Sequence, residues 1–141
     1  GLSLRHSVGH LMRAIYEGTA LGTRHILQDM AEGGFEPEGI YACGGGTRSD
    51  LWLQIHADAC QVPIYTTGQP EAAALGAAIC AAVGAELFAD LVQAAEAMVQ
   101  VRAEIRPDPA KAEVYDRMFA RYLETYPRLR DLMHQVAAEQ Q

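Results

Sequence analysis

The chain has 141 residues, half of them hydrophobic, and a formal net charge of −7. That is the length of one domain with enough apolar residues for a core, and its eleven basic residues are scattered, with no basic stripe interleaved with aromatics, which argues against nucleic acid as the main partner. No apolar run is long enough to span a membrane and no signal-peptide pattern opens the chain; the abrupt start Gly1-Leu2-Ser3-Leu4 reads like a cut inside a longer protein.

Leu4, Val8, Leu11, Met12, Ile15, Ile26, Leu27 and Met30 recur at helical spacings and predict one amphipathic helix from about Ser3 to Glu32. Gly18 and Gly22 lie four apart in its interior, where glycine costs about 1 kcal/mol against alanine, so close packing or ligand approach is expected there. His6 and His10 share that spacing but lack a third ligand, and read as a surface or partly buried pair. Gly33-Gly34 ends the helix as a C-cap, and Phe35-Glu36-Pro37-Glu38 links it to the first strand.

Ile40, Tyr41, Ala42 and Cys43 form a short apolar run between glycines, the pattern of a buried strand. Gly44-Gly45-Gly46 comes next, then Thr47-x-x-Asp50, read as a capping box opening a second helix. Leu51, Trp52, Ile55 and Ala59 give that helix its apolar stripe, with Trp52 as a core anchor and His56 in a structural role. Val62-Pro63-Ile64-Tyr65 is a second short strand. Thr67 to Glu71 opens a third helix, with Pro70 in its first turn and Glu71 capping it and complementing its dipole. Leu75, Gly76, Ile79, Cys80 and Val83 form its packing face, and Gly84 ends it.

Leu87 to Val101 is predicted as a fourth helix, with Phe88, Leu91, Val92, Ala95, Met98 and Val99 facing in, and Ile105-Arg106-Pro107 as an extended connector. Asp108-Pro109 supplies an N-cap and a proline at the first helical position. The last helix carries Val114, Tyr115, Met118, Phe119, Tyr122 and Leu123. Pro127 is expected to kink it or to begin a new segment, Leu129 to Val136, and Ala137 to Gln141 is a polar tail. The three cysteines, Cys43, Cys60 and Cys80, fit neither a zinc site nor a disulfide framework. Each sits in an apolar context, which predicts three buried free thiols and a reduced, cytoplasmic compartment.

Strand, glycine turn and helix N-terminus together make an anion site, because the turn lets a ligand approach backbone N–H groups at the positive end of the helix dipole. From the glycines alone, a plain strand-to-helix turn without ligand is equally admissible. There is no Gly-Lys-Ser/Thr, so this is not a P-loop, and Ser49 stands where the dinucleotide fingerprint needs its third glycine.

The longer pattern resembles the C-terminal domain of the FGGY carbohydrate kinases. It is carried by Gly44-Gly45-Gly46-Thr47-Arg48-Ser49-Asp50-Leu51-Trp52-Leu53-Gln54-Ile55, then Ala57-Asp58, Val62-Pro63-Ile64 and Pro70-Glu71-Ala72-Ala73-Ala74-Leu75-Gly76-Ala77-Ala78. The resemblance runs from about Leu11 to about Ala137. It implies an α/β fold, namely the C-terminal part of an actin-like ATPase (ribonuclease H-like) domain, with parallel strands, packed helices and the first strands of the domain missing. Residues 1–141 would then be the C-terminal portion of the second, nucleotide-binding domain.

By the same resemblance, the parent enzyme phosphorylates a sugar or polyol hydroxyl with ATP and Mg2+, and the glycine turn is the adenosine motif. Gly44, Gly45 and Gly46 match the turn, with Gly45 where the α-phosphate approaches. Ser49 matches a position near the adenosine. Serine there, and Tyr126-Pro127-Arg128-Leu129, are closer to the xylulokinase pattern, so a pentulose such as xylulose is the leading substrate. Arg48 touches either nucleotide or solvent. The catalytic aspartate would lie upstream, so no catalytic residue and no metal ligand are assigned here; Asp50 and Asp58 sit on the helix after the motif, away from the expected acceptor. The implied partners are sugar, ATP and the N-terminal domain of the same protein, with a homodimer left open. Two rival classes are a dinucleotide-binding oxidoreductase and a non-catalytic helical interaction domain. The first expects an acid about 20 residues past the glycines, which Val62-Pro63-Ile64-Tyr65-Thr66-Thr67 lacks.

Overall fold

The computed structural model describes residues 2–69 and 71–139. In chain order it has α1 (Val8–Glu32), β1 (Ile40–Ala42), a 3-10 turn (Gly45–Arg48), α2 (Asp50–Cys60), β2 (Ile64–Thr67), α3 (Ala72–Gly84), α4 (Leu91–Met98), β3 (Val101–Ile105), a second 3-10 turn (Pro109–Lys111) and α5 (Ala112–Ala138). The sheet order is β1-β2-β3. β1 and β2 are parallel, with Ile40 opposite Ile64 and Ala42 opposite Thr66. β3 returns antiparallel, with Ile64 opposite Ile105 and Thr66 opposite Ala103, and the register shifts between Thr66 and Thr67.

Helix α2 joins the parallel strands and is covered on two sides. Leu53 and Ala57 pack on the sheet with Ile64, flanked by Ile40, Ala42 and Ile105. Ile55 and Ala59 pack with Ala20 of α1 and Tyr115 of α5. From Ile55 to Cys60 every residue is buried, so the stripe predicted from Leu51, Trp52, Ile55 and Ala59 describes only part of the contact surface. Leu51 is exposed, and Leu53, outside that stripe, is buried. The helix ends where Gln61 turns left-handed (φ 58°) and its N–H donates to the Ala57 carbonyl at 2.8 Å.

Two polar side chains share this buried helix. His56 lies against Trp52, ring centroids 3.6 Å apart, and bonds the Trp52 carbonyl through Nδ1 at 2.9 Å. Burial pushes its pKa below the ordinary histidine value, and the bond to Trp52 opposes that only in part. Asp58, 2% exposed, accepts from Gln54 Nε2 (2.7 Å), the Asp108 backbone N–H (2.8 Å) and Lys111 Nζ (3.0 Å). It thereby ties α2 to the turn that aims α5, and the bond to Asp58 raises the Lys111 pKa.

Several expectations need correction. α1 begins at Val8, behind the N-cap Ser7, and not at Ser3. Its predicted stripe is largely uncovered: Val8, Leu11, Met12, Ile15 and Ile26 are exposed, and α1 meets α2 through the small residue Ala20 instead. A side chain at Gly22 would meet only the Tyr122 hydroxyl, at 3.8 Å, and Gly18 faces open space, so neither glycine marks an obligatory close contact. The second strand is Ile64–Thr67, later than predicted. α3 buries none of its residues; Pro70, predicted to open it, lies outside the described residues, and Glu71 takes the N-cap position without a side-chain capping bond.

The fourth helix is only eight residues long, and Val101–Ile105 is a strand, not helix and connector. Val101, Ala103 and Ile105 alternate with Arg102 and Glu104, the period of a strand. α5 continues as one helix through Pro127. Ala137 and Ala138 still belong to it, while Gln140 and Gln141 of the expected tail lie outside the described residues. Cys43 and Cys80 are exposed, contrary to the reading of three buried thiols. Cys60 is buried, its Sγ donating to the Ala20 carbonyl at 3.6 Å, and desolvation pushes its pKa up to about 12.

Asp58→Ala should destabilise the fold by about 3 kcal/mol, since it strips three donors of their acceptor in a buried setting; Lys111→Met should cost less, because the lysine side chain is 43% exposed. Urea melts would decide, and equal losses would remove Asp58 from its central role. For the thiols, a disulfide exchange reagent at pH 8 should label Cys43 and Cys80 quickly and Cys60 only on unfolding. Fast labelling of three thiols in the folded protein would contradict that burial.

Candidate functional site

The glycine turn joins β1 to α2. Gly44 adopts φ 80° and ψ −166°, a region open essentially to glycine alone. Its carbonyl is held twice by Thr47, through the backbone N–H at 3.2 Å and through Oγ1 at 2.7 Å. The chain then winds one 3-10 turn, closed by the Ser49 N–H on the Gly46 carbonyl at 3.1 Å. Among the described residues, the backbone N–H groups of Gly45 and Gly46 donate to no protein acceptor. They precede the N-terminus of α2, so the turn offers free donors beside the positive end of a buried helix.

The three glycines have different surroundings. Gly44 supplies the dihedral. A Cβ on Gly45 would meet nothing within 4 Å, which leaves that side of the turn open to a ligand. A Cβ on Gly46 would stand 3.5 Å from the Trp52 ring, so Trp52 backs the turn from beneath. Trp52 is thus partly buried between the turn and His56, in agreement with its reading as an anchor.

Ser49, and not Thr47, caps α2: its Oγ accepts from the Trp52 N–H at 3.2 Å, which leaves the hydroxyl proton free to donate elsewhere. Thr47 serves the turn instead, because its hydroxyl is spent on Gly44. The structure therefore brings Gly44, Gly45, Gly46 and Ser49 into one continuous segment of backbone. Asp50 stands at the first position of α2, where its charge complements the dipole, and Arg48 is exposed. Asp58 is engaged with Gln54, Asp108 and Lys111 and takes no part in the turn. Among the described residues there is no cluster of three or more acids, histidines or cysteines that could hold a metal ion, and no helix long and apolar enough to cross a membrane.

Sequence reasoning missed two residues beside the turn. Thr47 and Arg48 border a cleft of 470 Å³ whose opposite wall carries Thr66 and Arg102. A helical reading of β3 hides Arg102, and the alternation of Val101 to Ile105 is the signal that exposes it.

The family model for the FGGY family of carbohydrate kinases, C-terminal domain, matches residues 1–85, more than half of the chain. A crystal structure of xylulose kinase from Rhodospirillum rubrum superposes with a TM-score of 0.80 at 42% identity, covering 95% of this chain and 27% of that one. Autoinducer-2 kinase of Escherichia coli (strain K12) is 37% identical over 106 residues, covering 74% of this chain and 20% of that protein. An FGGY carbohydrate kinase domain-containing protein of Danio rerio is 31% identical over 129 residues, covering 89% of this chain and 24% of that protein. The chain thus spans about a quarter or less of the length of these curated relatives. Its α/β fold is the actin-like ATPase fold of these kinases. On the family match and the shared fold, the chain belongs to the FGGY family of carbohydrate kinases.

Proposed function

We propose that the protein carrying this chain transfers the γ-phosphate of ATP to a hydroxyl of a sugar or polyol, and that this chain, as the C-terminal portion of the nucleotide-binding domain, forms the adenosine and phosphate wall of the interdomain cleft. The observation that carries the proposal is the turn itself. Gly44 sets the backbone, Gly45 is open, and the N–H groups of Gly45 and Gly46 are unspent at the N-terminus of α2. An α-phosphate oxygen is the acceptor such donors suit. The free hydroxyl proton of Ser49 supports the same reading, with a nucleoside nitrogen or oxygen as its acceptor.

A pentulose, xylulose first, is the proposed acceptor substrate, supported by the similarity to xylulose kinases; the autoinducer-2 kinase among the relatives marks the breadth of acceptors in the family. Mg2+ enters this proposal with the nucleotide, bridging its phosphates. Among the described residues no cluster of three or more acids, histidines or cysteines forms a metal site of its own, and the part proposed for this chain is to hold the nucleotide. No catalytic base is proposed here: phosphoryl transfer rests on positioning and charge around the γ-phosphate, and the turn addresses the other end of ATP. The exposed free thiols Cys43 and Cys80 support a cytoplasmic setting.

Paired substitutions in the whole enzyme test this. Gly45→Val should raise the KM for ATP about tenfold or more and leave the KM for sugar and the melting temperature nearly unchanged, because the space it fills is empty in the free chain. Gly44→Ala should instead cost about 1–3 kcal/mol of stability through its dihedral. An unchanged KM for ATP in Gly45→Val, with sugar binding lost, would assign the turn to the wrong ligand. The 141 residues on their own should show no turnover with ATP, Mg2+ and a panel of pentuloses; turnover above background would place a catalytic base within them.

A further inference from the structure

The cleft beside the glycine turn is lined by none of the groups proposed to hold the nucleotide, and its lining is chemically specific. One wall is Thr47, Arg48 and Asp50, at the start of α2; the other is Thr66 of β2 and Arg102 of β3. Neither guanidinium has a hydrogen-bond or ion-pair partner among the described residues, whereas Arg13, Arg24, Arg106 and Arg128 each have one. Asp50 does not neutralise the pair: it occupies the first position of α2, where the helix's own N–H groups face its charge. The cleft therefore keeps a cationic character.

Thr66 is the second, independent observation. It is 7% exposed and borders the cleft, yet its hydroxyl has no hydrogen-bond partner among the described residues. The neighbouring hydroxyls are committed, Thr47 to the Gly44 carbonyl and Thr67 to the Gln69 carbonyl. The residue is nearly buried but its hydroxyl is not shut off from solvent, so a ligand or water in the cleft can meet it. Two guanidinium forks and one free hydroxyl in the lining of one cleft, against the single carboxylate of Asp50, are the donor set that suits an oxyanion. The volume, 470 Å³, falls in the range of small-ligand sites.

We propose that this cleft is a second anion site, separate from the nucleotide turn, which binds the phosphate or carboxylate group of a small organic molecule. Arg48 and Arg102 clamp the oxyanion from opposite walls, and Thr66 donates its hydroxyl from the floor.

The test is calorimetric titration of the full-length protein carrying this chain, at fixed ionic strength, with methyl phosphate, acetate and neutral methanol as probes, none of them a sugar or polyol. One or both anions should bind and methanol should not; which anion binds tells phosphate from carboxylate. Arg102→Gln and Thr66→Val should each weaken anion binding about tenfold or more and leave ATP affinity unchanged. Gly45→Val should do the reverse. Arg102 is exposed and Thr66→Val keeps the β-branched shape, so melting temperatures should match the parent and separate loss of binding from loss of fold. The proposal is overturned if neither anion binds, if methanol binds as tightly, if Arg102→Gln leaves anion affinity intact, or if Arg102→Gln and Gly45→Val weaken ATP and anion together. Loss of ATP binding in Gly45→Val alone bears on the nucleotide reading, and an intact ATP response in that variant bears against it without touching the cleft.

Discussion

The burial of α2 on two faces is the constraint on which the rest of the structure depends. A helix of eleven residues whose last six are all buried has almost no solvent side. One row, Leu53 and Ala57, is fixed by the sheet; the other, Ile55 and Ala59, is fixed by α1 and α5. Rotation about its axis would push small residues into gaps and large ones into contact, so its azimuth is set. With the azimuth fixed, the N-terminus of α2 is fixed as well, and so are the glycine turn and both walls that meet there. Asp58 locks the opposite end of this arrangement. Its carboxylate replaces lost water with three donors, which is how an ionised group is tolerated at 2% exposure. The positional precision of the turn is thus inherited from core packing, not from the turn.

Much of this is legible in the residues, and the failures share a cause. The strand-glycine-helix segment is readable because Gly44 to Ser49 carries local chemistry: dihedral freedom, hydroxyl caps, a first-turn acid. The cap shifts from Thr47 to Ser49 because the chain inserts a 3-10 turn first, and serine is the better N-cap of the two. β3 escapes notice because Ala95, Met98 and Val99 extend a helical pattern into a region where Val101, Ala103 and Ile105 alternate. Two periods overlap there, and the pairing with β2 decides between them. The alternation of Val101 to Ile105 is a local mark too short to outweigh the helical run before it, and Arg102 is hidden with the strand.

The three glycines show how one motif divides its labour. At Gly44 the requirement is conformational, and any side chain is strained. At Gly45 the backbone is ordinary and the space is empty, so neither conformation nor packing within the described residues requires glycine, and under the proposed function this is where the nucleotide approaches. At Gly46 the neighbour is Trp52, whose ring stacks on His56. Removing Trp52 would loosen the turn from beneath without touching a ligand. A run that looks uniform in sequence is therefore one position set by geometry, one left open and one backed by packing.

The apolar periodicity of α1 and α3 points beyond these residues. Val8, Leu11, Met12 and Ile15 lie at helical spacing and are exposed, and α3, dominated by alanine with Leu75, Ile79 and Val83, buries nothing. Periodicity of that kind records a face that packs against something, and exposed apolar faces on this scale are rare on soluble monomers. Hydrophobic transfer favours covering them by roughly 25 cal/mol per Å². In the proposed parent enzyme the remainder of the nucleotide-binding domain would supply the cover. Its contact with α1 and α3 would also hold that part of the protein rigidly to α2, since α1 already packs on α2 through Ala20. Closure of a cleft over the nucleotide would then act on the glycine turn through the same buried helix that positions it.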